Sequence, residues 1–138
     1  MDEFLIPSAT RTGCLAFYDR TPFNRDHPIN SFWVRVTDAH LSAELEVAAD
    51  YLPTHPGALF EDMQRQWSGW SDDLIWQSVS GELKLLCRHD GLGHISIQVK
   101  LRAGYMDDDW RVTATVIADA GQLESIARRA AVFFGREN

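Results

Sequence analysis

Residues whose types invite chemistry gather at a few places in the chain. His89-Asp90-Gly91-Leu92-Gly93-His94 brings two imidazoles and a carboxylate close together, and such a set suits zinc and related metals. Trp67-Ser68-Gly69-Trp70, with Trp76 close behind, groups indoles that could stack on a sugar, a base or a methylated cation. Asp72-Asp73 and Asp107-Asp108-Asp109 offer neighbouring carboxylates of the kind used in acid–base work or calcium binding. Cys14 and Cys87 are the two thiols.

Register decides how the histidines can be used. Leu83, Leu85 and Cys87 must share a face with Ile95, Ile97 and Val99, and residues directly opposite in a hairpin point the same way. Odd positions therefore pair with odd ones. This predicts a three-residue loop, Asp90-Gly91-Leu92, with Gly93 in a left-handed bulge. His89 then continues the apolar parity and His94 the polar parity, so no metal is expected between them. Trp67 falls on the apolar stripe of a predicted helix and Trp76 opens a strand. Packing at the helix-to-sheet corner is favoured over ligand stacking. The Asp runs sit in predicted turns without calcium-loop spacing and are expected to be solvated, with a negative patch for a basic partner as the second reading. Cys87 faces the predicted core, where a thiol is inert. A Gly-rich phosphate loop, a nucleophile elbow and a Cys-x-x-Cys pair are all missing from the sequence. No catalytic residue and no cofactor are assigned.

The elements that position these residues follow from period-2 alternation. Phe32, Val34 and Val36 alternate with Trp33, Arg35 and Thr37, and Leu41, Ala43, Leu45, Val47 and Ala49 alternate with Ser42, Glu44 and Glu46. Thr37-Asp38-Ala39-His40 is the expected turn between them. An earlier strand is expected over 14–18. Three more follow around 83–88, 95–102 and 110–116. Two helices are predicted. The first, about 57–67, carries Leu59, Phe60, Met63 and Trp67 behind Pro56. The second, about 120–134, has Asp119 and Gln122 as a capping box, a stripe of Leu123, Ile126, Ala127, Ala130 and Phe134, and Gly135 as its stop. Arg128 and Arg129 flank that stripe and are expected to tolerate change. The stretch 19–30, with Pro22, Asn24 and Pro28, reads as a surface loop. The fold class is α+β: a six-stranded, mainly antiparallel sheet ordered β-β-β-α-β-β-β-α, with both helices on its apolar face and its polar face open.

Trp67-x-Gly69-Trp70, Trp76-x-Ser78-x-x-Gly81-x-Leu83-x-Leu85, His89-Asp90-Gly91-x-Gly93-His94 and Gly121-Gln122-Leu123 together resemble a family of small standalone bacterial proteins of unknown function. The resemblance covers about residues 59–134. It implies a small bacterial domain and assigns no activity, ligand or catalytic residue.

The chain has 138 residues and a net charge of -7. That length suits one domain, 1–138, with a core that needs no disulfide or metal. The acidic surface disfavours nucleic acid and suits a basic protein partner. No apolar run reaches the roughly 18 residues of a membrane span, and Met1-Asp2-Glu3-Phe4 lacks a signal-peptide layout, so the expected location is the cytoplasm, as a monomer or homodimer. The sequence is read as a non-catalytic binding protein, an immunity-type inhibitor of a basic bacterial toxin. The alternative is a small-molecule-binding domain or minor enzyme built on the tryptophan and histidine cluster. Residues singled out for contact are Trp33, Arg35, Glu44 and Glu46 on the polar face, Trp70, His89 and His94 near the hairpin, and Asp107, Asp108 and Asp109.

Overall fold

The alternating segments all form strands, and two short ones join them. A computed structural model describes residues 3–10, 12–22, 29–49 and 55–135. Four strands precede the first helix: β1 (Glu3–Pro7), β2 (Cys14–Thr21), β3 (Ser31–Asp38) and β4 (Leu41–Ala48). After α1 (Gly57–Arg65) come β5 (Leu74–Gln77), β6 (Leu83–His89), β7 (His94–Arg102) and β8 (Arg111–Asp119). A 3-10 turn, Ala120–Gln122, leads into α2 (Leu123–Phe134).

The predicted single sheet of six strands is replaced by two antiparallel sheets of four, ordered β1-β2-β3-β4 and β5-β6-β7-β8. The class, α+β with antiparallel sheets, is as expected. Both meanders follow from short connections, which join neighbours antiparallel. The segment carrying α1 ends one meander and starts the other. The sheets touch where Ala9 N–H donates to the Ile117 carbonyl at 2.7 Å and Ile117 N–H donates to Ser8 Oγ at 3.1 Å.

The inner faces of both sheets and the apolar stripes of both helices share one core cluster, including Phe17, Phe32, Phe60, Leu85, Ile97, Ile126 and Phe134. Phe134 is its hub on the helix side. Its ring meets those of Phe17 and Phe32 edge-on at 5.3 Å and lies parallel to His55 at 5.1 Å. Arg20, buried on β2, donates to the Phe133 carbonyl at 3.2 Å and ties the end of α2 to the first sheet.

Several local expectations shift. The turn after β3 is the two-residue Ala39-His40, with His40 at φ 61°. The predicted loop over 19–30 begins later, because β2 runs on to Thr21 through a register shift between Tyr18 and Thr21. Its positions 23–28, Asn24 and Pro28 among them, lie outside the described residues. The helix α1 stops at Arg65, so Trp67 falls beyond the buried stripe and is 63% exposed. Trp110 precedes β8 and is exposed as well. In α2 the buried positions are Leu123, Ile126, Ala130, Phe133 and Phe134, while Ala127 is half-buried. The reach-back of Gln122 is present, its Oε1 accepting Asp119 N–H at 2.9 Å. No helix among the described residues is long and apolar enough to cross a membrane.

Candidate functional site

The outer face of the first sheet collects the residues that parity had set apart. Pairing runs Glu3↔Tyr18, Tyr18↔Trp33 and Trp33↔Glu46, so one row crosses all four strands. The adjacent row is Leu5, Ala16, Arg35 and Glu44. Inner partners on the same strands, Phe4, Phe17, Val34 and Val47, are buried. Strict alternation therefore turns these two rows to the outer side, where every member but the small Ala16 is at least partly exposed.

Within the rows the side chains hold one another. Tyr18 and Trp33 stack with centroids 6.3 Å apart and planes at 29°. The Arg35 guanidinium lies over the Tyr18 ring at 4.8 Å and pairs with Glu44 at 3.8 Å. The Tyr18 hydroxyl donates to Glu44. Burial, reinforced by that bond, pushes the Tyr18 phenol up to about 12. Glu46 accepts from Ser31 Oγ at 3.1 Å. The result is an aromatic and guanidinium centre with carboxylates toward both edges, Glu3 on one side and Glu44 and Glu46 on the other. Exposed ion pairs such as Arg35 with Glu44 add little stability. Their effect is to fix these side chains in one arrangement.

Trp33, Arg35, Glu44 and Glu46 are thus brought together. Tyr18 completes the cluster and was missed, because Cys14-Leu15-Ala16-Phe17 ahead of it is an unbroken apolar run that shows no alternation. Its even parity with Cys14 and Ala16, opposite Arg35 and Trp33, was the available signal.

The hairpin residues form a separate group. Trp70 and His89 meet edge-on at 5.0 Å. Trp70 Nε1 donates to the Cys87 carbonyl at 3.2 Å. Gly91 N–H donates to His89 Nδ1 at 2.8 Å, which leaves Nε2 to carry the proton and donate to the Trp67 carbonyl at 2.9 Å. Both ring nitrogens are occupied, so His89 braces the turn after α1 against the second sheet. His94 sits on the opposite parity, paired with Asp119, and its Nδ1 meets Asp90 at 2.9 Å. Asp90 also accepts the N–H groups of His94 and Leu92, and these bonds hold its carboxyl below the usual carboxylate range. Among the described residues no group of three His, Cys, Asp or Glu side chains gathers as a metal site would need.

Asp107, Asp108 and Asp109 occupy the turn between β7 and β8, away from both groups in sequence and element. Asp107 and Asp108 are exposed. Asp109 closes the turn by accepting Met106 N–H at 2.9 Å. Cys87 is buried and its thiol is pushed up to about 12 by desolvation. Cys14 is half-buried on β2 and its thiol is raised by burial.

A family model described as a family of unknown function, DUF6228, matches residues 6–137. No curated protein and no solved structure matches the chain.

Proposed function

We propose a function from geometry alone, because the chain belongs to a family of unknown function, DUF6228. The protein is a non-catalytic binding domain whose outer first-sheet face receives a basic protein, as an immunity-type inhibitor of a basic toxin would. The observation that carries this reading is the row Glu3, Tyr18, Trp33 and Glu46 with Arg35 and Glu44 beside it. Tyr, Trp and Arg are the residue types that dominate binding energy at the centre of protein interfaces. Carboxylates around such a centre steer and select a cationic partner. The small-molecule alternative is less favoured, since the polar atoms of His89 and Trp70 are already spent on the chain's own carbonyls and amides.

The test is affinity capture from host extract at low salt, comparing the wild type with Trp33→Ala and Glu46→Arg. A basic polypeptide retained by the wild type, released by salt and lost in both variants is the expected result. Retention of nothing, or equal retention by all three proteins, would overturn the proposal.

A further inference from the structure

The outer face of the second sheet has the opposite character to that of the first. One row across it is Gln77, Lys84, Lys100 and Thr113, paired in register on β5 to β8. The next holds Arg102 directly opposite Arg111. Lys84 and Lys100 are the only lysines of the chain, and they stand directly opposite each other. Like charges so placed destabilise a sheet. Two such pairs side by side, in a chain of net charge -7, run against both local stability and overall composition. Among the described residues no carboxylate forms a salt bridge to any of the four. Glu82, two positions before Lys84 on the same side, takes a hydrogen bond from Ser78.

These side chains line an open trough of about 350 Å³. Arg102 is held in it by two features. Its guanidinium lies over the Tyr105 ring at 4.6 Å, and a Cβ at position 81 would come within 2.8 Å of its Nη2, so Gly81 leaves it room. Thr113 and Gln77 add hydroxyl and amide donors at opposite edges.

We propose that this trough binds a compact oligophosphate, a small molecule with two or more linked phosphate groups. Four converging cations match several negative charges on one ligand, and rows two residues apart lie about 6.6 Å from each other, which suits linked phosphates better than a single one. The volume is that of a small-ligand site. A long nucleic acid would extend past the trough over a protein of net charge -7, which repels it. The site lies on a different sheet from the proposed protein-binding face and stands independently of it.

The experiment is calorimetric titration of the intact protein with inorganic tripolyphosphate, adenosine triphosphate, orthophosphate and a single-stranded oligonucleotide. Saturable one-to-one binding of tripolyphosphate, weakened by salt, is expected. The Lys84→Gln/Lys100→Gln protein should lose affinity about tenfold or more, since two charged contacts disappear. Arg128→Gln, at an exposed position on α2, should leave it unchanged. Tighter binding of the triphosphate nucleotide would identify a nucleotide as the source of the phosphates, and equal binding would identify the phosphate chain alone. The double variant should melt at or above the wild-type midpoint, because it removes a like-charge pair. Should it fail to fold, Arg111→Gln serves the same comparison. Absence of saturation, orthophosphate binding as tightly as tripolyphosphate, an equal loss in Arg128→Gln, or binding of the oligonucleotide alone would overturn the proposal.

Discussion

Tyr18 and Trp33 stand directly opposite one another on β2 and β3 with their rings stacked, and Tyr18 hands its hydroxyl proton to a hydrogen bond with Glu44 on β4. Three strands are thereby linked through one phenol. Burial is the larger cause of its raised value of about 12, and Glu44 the next. An absorbance titration of phenolate should show a late phase that Tyr18→Phe deletes. In Glu44→Gln that phase should move down while staying above about 10, the ordinary tyrosine value. A late phase that Tyr18→Phe leaves in place would contradict the described contact.

Gly93 tests the hairpin. Asp90 N–H bonds the His94 carbonyl at 3.1 Å, so the loop encloses Gly91, Leu92 and Gly93, one residue later than the alternation predicts. Gly93 keeps the positive φ expected of it, 92°, and a Cβ there would meet nothing within 4 Å. The cost of a side chain is therefore purely of backbone origin. Gly93→Val should lose about 1–2 kcal/mol in a denaturant melt. Leu92→Ser should change stability by about 0.5 kcal/mol or less, since Leu92 is 81% exposed. Equal losses would mean that the loop conformation is different.

Asp90 gives a pH signature. Its folded carboxyl is held below the ordinary range by the His94 and Leu92 amides. The charged form is favoured by folding, so its stabilisation is present above the unfolded value of about 3.9 and is lost as pH falls through the folded value. Asp90→Asn keeps an oxygen acceptor and removes the charge. The stability gap between wild type and this variant should close as the pH falls below about 4. A gap that widens over that acid range would reverse the sign of the argument.

Much of this molecule is legible in the alternation of its residues, and the gaps have physical causes. The pairs Leu83↔Leu101, Leu85↔Val99 and Cys87↔Ile97 follow the odd-to-odd rule. So do the opposed parities of His89 and His94. Glu3–Pro7 and Leu74–Gln77, at 5 and 4 residues, are too short for a period to stand out. Alternation fixes which way a side chain points but not which strands bond, so two sheets could not be told from one. Trp67 was misplaced because a spacing of four from Met63 continues a helical stripe only while the helix lasts. The basic trough was hidden for a different reason. Lys84, Lys100, Arg102 and Arg111 look like ordinary polar positions one strand at a time, and only cross-strand register sets them against each other.

The helix α2 offers the sharpest test of packing. Phe134 is 2% exposed and meets the rings of Phe4, Phe17, Phe32 and Phe133 at 5.0 to 6.2 Å. Phe134→Ala should cost about 3–5 kcal/mol. Ala130 is fully buried, so Ala130→Leu should overpack the helix seat and cost about 1–3 kcal/mol. The two arginines expected to behave alike are separated by the structure. Arg128 is exposed, and Arg128→Ala should stay within about 0.5 kcal/mol. Arg129 lies over the Phe4 ring at 5.5 Å, donates from Nε to Ser125 at 3.2 Å and reaches the Leu5 carbonyl of β1. Its removal frees the outer edge of β1 from the helix, and Arg129→Ala should cost about 1 kcal/mol more than Arg128→Ala. Denaturant melts of the four variants read all of this directly. Equal effects of the two arginine changes would mean that α2 does not clamp β1. A loss at Arg128 as large as that at Phe134 would mean that the helix is rotated about its axis from the position described.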